Sequence, residues 1–412
     1  MAENFLKKSP NHASGYRVNP AGVLPAVKCL GAIFRLNPRP PALIEVRTHL
    51  QLGALLHRET QNVDLAKQHL EQAWYQSQTM PQLEDVKYEA GCCLAEIYAD
   101  AGQIVQAKQV LQKAIESSQR LPYWHCRLLF QLANLLVTEK DYNSAVQILD
   151  AGVGFSYMAG AYYTRMLFLL SKAMLFLLER RFADANPILQ QTGPLIETWV
   201  QQSSGHQKEN VAKHQKEYLQ IFFLVLQVCY YLMVGQVKSV KTVLKQLQQS
   251  IQTVTSPGWP ADEEMVPSNA ADNFQWLTKD HLCILVYLVT VMHSMQAGYM
   301  DKAQKYTDKA IAQIDKLRNS YDAKPLLLSS FQALLMEHIV QCRLVTGNKE
   351  GAVQEIGNLC RLLQSNQLLL QRHRAQLHTM LGLYAMSMNC MDAAENQFNA
   401  ALRVSFSFRN CT

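Results

Sequence analysis

Residues 88–115 read YEAGCCLAEIYADAGQIVQAKQVLQKAI, and their spacing decides the fold. Leu94, Ala95 and Tyr98 recur at helical intervals, Gly102 stops the run, and Ala107, Leu111 and Ala114 mark a second helix. The small Ala95 lets the first helix approach the second closely, Ala107 and Ala114 receive it, and the large residues fill the gaps. This is the spacing of a tetratricopeptide repeat.

The same frame recurs at Leu132, Ala133, Leu136, Ala145, Leu149 and Gly152, and at Leu381, Gly382, Ala394, Phe398 and Ala401. Leu52, Gly53, Leu56, Ala66, Leu70 and Ala73 fit with one extra residue in the turn. Looser units lie at Ala173 with Ala185, at Ala303 with Ala310, and at 334–356 around Gly347 and Ala352, while 221–247 reads as a helix hairpin around Gly235. The anchors Gly53, Ala95, Ala133 and Ala173 stand 42, 38 and 40 residues apart. A standard repeat takes about 34, so the helices or turns are extended. The expected fold is all-α: a right-handed superhelix of about eight such helix pairs over residues 45–412, with a concave face made mainly by the first helix of each pair.

Three segments break the rhythm. Residues 1–44 carry six prolines around one helical run, Val27 to Leu36, and read as a loose arm with one docked helix. Residues 201–216 (QQSSGHQKENVAKHQK) and 255–273, with Pro257, Pro260, Pro267 and the acids Asp262, Glu263 and Glu264, read as polar loops. No polar capping helix follows the last pair, so the array reads as cut short.

Composition narrows the class. Of 412 residues, 49% are hydrophobic and 17% charged, enough to bury a core, and 18 glycines with 14 prolines are few enough to favour helix. A net charge of +6 spread over this length is no signature of nucleic-acid binding. Ten cysteines without a CxxC pair read as free thiols in a reducing compartment. The apolar runs Ile221 to Met233 and Leu282 to Met292 fall short of the ~20 residues of a spanning helix. With no secretory signal at the N-terminus, the chain reads as soluble and intracellular.

Motifs of catalysis are missing. Nothing matches GxxxxGK[ST], GxGxxG, HExxH or GxSxG, and Gly235 with Lys238 and Ser239 mimics a phosphate loop only in part. Neither His49 with His57 nor His373 with His378 has the i, i+4 spacing that puts two metal ligands on one helix face. The expectation is a protein with no catalytic residues, no cofactor, no metal and no small-molecule substrate.

The informative feature lies on the central first helices. Leu167, Leu170, Met174 and Leu177 fall on the side where a standard array shows water-facing residues, as do Phe222, Val225, Cys229 and Leu232, then Leu285, Leu288, Met292 and Met295. A helix that is hydrophobic all round must be covered on every side. The cover is either an extended partner segment running through the array or the chain itself, through its own turns or the arm 1–44. The earlier pairs present Arg47, Leu50, His57 and Arg58, then Glu89 and Glu96, then Arg127, Phe130 and Asn134, an ordinary mixed groove. Lys238, Lys241 and Lys245 make one basic face, with no acid between Gly235 and Thr253, suited to phosphate or an acidic partner. Lys302, Lys305 and Lys309 make another, but Asp301, Asp308 and Asp315 interleave with them.

The peptides PYWHCRLLFQLA at 122–133, GQVKSVKTVLKQLQQSIQT at 235–253 and LVYLVTVMHSMQAGYMDKAQKYTDKA at 285–310 add a specific likeness. From about Ala42 to Leu402 the chain resembles the smaller, tetratricopeptide-rich subunits of the cohesin loader, the Mau-2 or Scc-four type sister chromatid cohesion factors. Residues 1–24 differ from the start typical of that family, and its members carry further repeats. The resemblance implies a nuclear, chromatin-associated, non-catalytic scaffold. It would enwrap the N-terminal segment of the large Nipped-B-like subunit and support cohesin loading and sister-chromatid cohesion. Cohesin and DNA would be met through that partner, with no membrane involved.

Overall fold

The computed structural model describes residues 20–60, 62–201, 206–260, 265–318, 325–364 and 367–410. Among them, every regular element longer than a single turn is an α-helix, seventeen in all. The described residues fall into two compact units, one within Met1–Leu219 and Glu263–Trp276, the other within Gln220–Asp262 and Leu277–Thr412.

The first unit begins with α1 (Pro20–Ile33) and continues through α2 (Ala42–Glu59), α3 (Val63–Ser77), α4 (Glu84–Asp100) and α5 (Ile104–Ser117). It goes on with α6 (Pro122–Thr138), α7 (Tyr142–Met158), α8 (Tyr162–Leu178), α9 (Phe182–Gln201) and the start of α10 (His206–Val234). Helices pack in consecutive pairs, α2 on α3 through α8 on α9, and each second helix also meets the first helix of the next pair. The second unit takes the rest of α10 and then α11 (Val237–Val254), α12 (Lys279–Gln296), α13 (Met300–Arg318), α14 (Pro325–Val345), α15 (Lys349–Gln364), α16 (Gln367–Ser387) and α17 (Met391–Asn410). There α12 pairs with α13, α14 with α15 and α16 with α17.

The pairing follows from the small anchors. A Cβ added at Gly53 would lie 2.7 Å from Cγ of Leu70, one added at Gly382 would lie 2.6 Å from the Phe398 ring, and one added at Gly152 would overlap the Phe168 ring. Each glycine is therefore the place where a neighbouring helix presses its large residue against bare backbone. Several turns share one conformation as well. Gly102 between α4 and α5 has φ +73°, and Lys140 occupies the same left-handed position between α6 and α7 with φ +65°.

Two sequence expectations change. The stretch read as a polar loop at 201–216 is helical from His206 onward, since QKENVAKHQKE has helix-forming residues and no breaker; residues 202–205 lie outside the described residues. Its continuation makes α10 long and apolar enough over Val211–Val234 to cross a membrane by length and composition, which the shorter run at Ile221 to Met233 conceals. Of the 18 consecutive residues that qualify it, 56% is buried within the protein, as in a core helix. Within residues 1–44 the helix lies at Pro20–Ile33 rather than over Val27 to Leu36; this α1 packs on α2, and Phe34 beyond its end lies 4.4 Å and 5.8 Å from the rings of His49 and His69.

Gly152→Ala is expected to destabilise the chain by about 1–3 kcal/mol, because the Phe168 ring must leave its site. Gly154→Ala, on the same helix with open space around its Cβ, is expected to stabilise it slightly. Chemical denaturation of the two variants checks the contrast.

Candidate functional site

The inner helices of the first unit close on one another. Arg47 on α2 pairs with Asp85 on α4 at 3.4 Å, and His57 approaches Glu96 at 3.8 Å. On α6, Gln131 donates to the Cys92 carbonyl at 2.8 Å, while Arg127 donates to the Tyr123 hydroxyl at 3.3 Å and lies over the Trp124 ring. Leu50, Glu89, Arg127 and Phe130 are all buried, so four positions expected in a mixed open groove are interior. Burial also pushes the Cys92 thiol up to about 12, leaving it neutral and unreactive.

Part of that cover comes from an unexpected place. Residues 265–276, which take in the end of the loop expected at 255–273, form no helix beyond a single turn at Ala270–Asp272, and that turn lies against α6 and α8. Asp272 Oδ1 accepts the Thr164 backbone N–H at 2.9 Å, and the Thr164 hydroxyl donates to the Ala271 carbonyl at 2.6 Å. Gln215 on α10 donates to the Asp272 carbonyl, and Asn269 donates to the Ala159 carbonyl. Phe274 stacks on Tyr123 with ring centres 5.2 Å apart and meets Phe130 edge-on at 5.6 Å. Ala271, Asp272, Phe274 and Trp276 are buried as a result. The acids Asp262, Glu263 and Glu264 just before this strap lie outside the described residues.

Asp272 performs a definite task. Ala161, the residue before α8, has no side chain able to cap the helix, and Asp272 supplies the missing acceptor from more than a hundred residues away. Burial pushes its carboxyl up to about 6, against the opposing pull of the Thr164 and Tyr163 N–H groups.

The structure gives each sequence-predicted groove position a place. Leu167, Leu170, Met174 and Leu177 on α8 are buried in the first unit; in the second, Phe222, Val225 and Leu232 on α10 and Leu288 on α12 are buried too. Cys229, Leu285, Met292 and Met295 remain half-exposed. Of these, Leu285, Met292 and Met295 pack against a cluster containing Ile284, Val291, Ala303, Ala310 and Ile314. Lys238, Lys241 and Lys245 stand exposed along α11. Among the described residues, no group of three or more His, Cys, Asp or Glu is placed to hold a metal ion.

Comparison with known proteins adds what geometry alone does not supply. The profile of a family described as cohesin loading factor matches residues 23–410. A MAU2 chromatid cohesion factor homolog of Aedes aegypti is 50% identical over 387 residues, covering 93% of this chain and 60% of its own length. The homolog of Drosophila melanogaster is 47% identical over 383 residues, covering 92% of this chain and 58% of its own. The chain thus spans about three fifths of the length of these curated relatives. Among solved structures, Scc4 in complex with Scc2n matches with TM-score 0.48 and 13% identity over 92% of this chain and 69% of that one. The apo form of RapI matches with TM-score 0.44 and 9% identity over 89% of this chain and 99% of that one.

Asp272 makes stability depend on pH in a defined window. Its folded-state value lies above the roughly 3.9 of an unfolded chain, so the folded chain holds the extra proton, and its stability falls as pH rises from about 4 to about 6. Asp272→Asn keeps the acceptor, is expected to remove that slope, and should melt at least as high as the wild type at pH 7.5. Asp272→Ala loses the cap and is expected to cost about 1–2 kcal/mol. Thermal melts of the three chains at pH 5 and 7.5 check the sign.

Proposed function

The chain belongs to the cohesin loading factor family, and from that premise we propose that it is a non-catalytic scaffold. Its role is to sheathe the N-terminal segment of the large Nipped-B-like loader subunit and so support cohesin loading onto chromatin and sister-chromatid cohesion in the nucleus. One observation carries this reading: identity of 46–50% to chromatid cohesion factor homologs over more than nine tenths of the chain. Two further features support it. The chain has none of the catalytic motifs, and stacked helix pairs offer long faces suited to an extended partner.

The partner path follows from burial. Eight of the twelve groove positions are already interior, so a partner segment reaches the inner helices where they stay half-exposed, at Cys229 on α10 and at Leu285, Met292 and Met295 on α12. Methionines suit such a face, because their flexible, polarisable side chains adapt to a docking surface. Lys238, Lys241 and Lys245 on α11 serve as a subsidiary contact for acidic residues of the partner.

Size-exclusion chromatography with light scattering tests the reading. Mixed with the N-terminal region of the Nipped-B-like subunit, the chain is expected to form a one-to-one complex, and a stable monomer that ignores the partner rejects the proposal. Met292→Asp with Met295→Asp is expected to weaken the complex at least tenfold with an unchanged helical spectrum. Leu170→Asp, at a fully buried site, is expected to unfold the first unit instead.

A further inference from the structure

The strap is unusual in this chain because it is held by the contacts with which proteins recognise extended peptides. Among its anchors are two backbone carbonyls, Ala271 gripped by the Thr164 hydroxyl at 2.6 Å and Asp272 gripped by Gln215 at 3.0 Å. Its Asp272 carboxylate sits on the N-terminal N–H groups of α8, Thr164 and Tyr163. One aromatic ring, Phe274, enters a cleft whose walls are Tyr123 and Phe130, and Phe130 is itself braced by the Phe168 ring stacked behind it at 3.8 Å. Thus α6, α8 and α10 present a helix end that needs an acceptor, a hydrogen-bonding rail and an aromatic slot to one segment. Taking the strap away would leave the start of α8 without its acceptor and the Tyr123–Phe130 cleft open to water.

We propose that this face of the first unit is a recognition site for an extended peptide carrying an aspartate or asparagine and, two residues later, an aromatic residue. Residues 269–276 are its resident ligand, held in cis and displaceable in trans by a segment of the same pattern. The occupant follows from the chemistry of the face. The uncapped N–H groups select a short side chain that ends in an oxygen acceptor, the slot selects a flat ring, and the Thr164 and Gln215 side chains bind main chain irrespective of sequence. A tethered ligand acts at an effective concentration on the order of millimolar, so the cis segment keeps micromolar competitors out until its own anchors weaken. This inference does not rest on the loader reading, and either can fail alone.

The test uses the full chain and a fluorescent peptide of residues 265–277. Anisotropy is expected to show the peptide binding at least tenfold more tightly to the Asp272→Ala, Phe274→Ala chain than to the wild type. Adding Thr164→Val is expected to reverse most of that gain. A peptide with alanine at the positions of Asp272 and Phe274 is expected not to bind. Equal binding to wild type and folded variant, or no binding to the folded variant, overturns the proposal. Should the double variant lose its helical spectrum, hydrogen exchange on the wild-type chain decides. Amides of Tyr163 and Thr164 that exchange together with residues 271–274, and faster than the middle of α8, support a displaceable strap. Exchange of all of them only on global unfolding rejects it.

Discussion

The structure depends on backbones brought close together at small residues. Gly53 against Leu70, Gly152 against Phe168 and Gly382 against Phe398 leave no room for a Cβ, and Ala66, Ala73, Ala107, Ala145 and Ala303 are as fully buried. Close approach has two consequences. It lets a large residue of one helix lie directly on the backbone of the next, so each contact excludes water at the full packing density of a protein interior. It also fixes the angle between successive helices, so a helix joined to its partner by a tight turn has little freedom left. Lys140 and Arg180 accept positive φ angles that cost a non-glycine residue about 1 kcal/mol or more, because the packing on either side demands that turn.

Once the helices are spaced this closely, the inner ones are enclosed on every side, and their polar groups must find partners within the chain. The first unit meets much of that requirement with two bonds between segments, Gln131 of α6 to the Cys92 carbonyl of α4 and Asp272 to the start of α8, and with one along α6, Arg127 to Tyr123. Each is worth only about 1 kcal/mol net, but leaving such a group buried and unpaired costs more than the bond contributes. The strap is therefore not an ornament on the array. It supplies an acceptor that Ala161 lacks and a ring that fits between Tyr123 and Phe130.

How much of this could be read from the sequence depends on whether the signal was periodic. The anchors Ala95, Ala107 and Ala114, and the frames around Gly53, Ala133 and Gly382, recur at fixed intervals, and the structure pairs those helices as expected. The segment 206–216 was misread because polarity was taken for irregularity, although a polar run of Gln, Lys, Glu and Ala forms a helix readily when one end is packed. The strap carries no period at all. Its only signal is the placing of Phe274 and Trp276, two large aromatics, a few residues beyond a proline-rich and acidic stretch, where an exposed loop has no use for them. Of the twelve groove positions, eight are buried within the chain and four are half-exposed, and a periodic reading cannot tell cover by a partner from cover by the chain's own segment.

That distinction bears on how the partner can bind. A face buried by the chain itself is unavailable to a partner unless something is displaced, and the displaced segment must then expose its own apolar groups. For α8, displacement would uncover Leu167 and Leu170 only if the surrounding helices parted, which costs far more than releasing the strap. For α12, Met292 and Met295 are half-exposed already, and contact there requires no rearrangement. Under the proposed function, a partner segment would therefore meet the second unit first, on a surface that exists in the free chain. The first unit can contribute only where a cis contact is exchanged for a similar one in trans, which is a nearly balanced reaction. Similarity to the cohesion factors identifies the family of the chain; the burial of its own inner helices limits where the proposed partner could begin to bind.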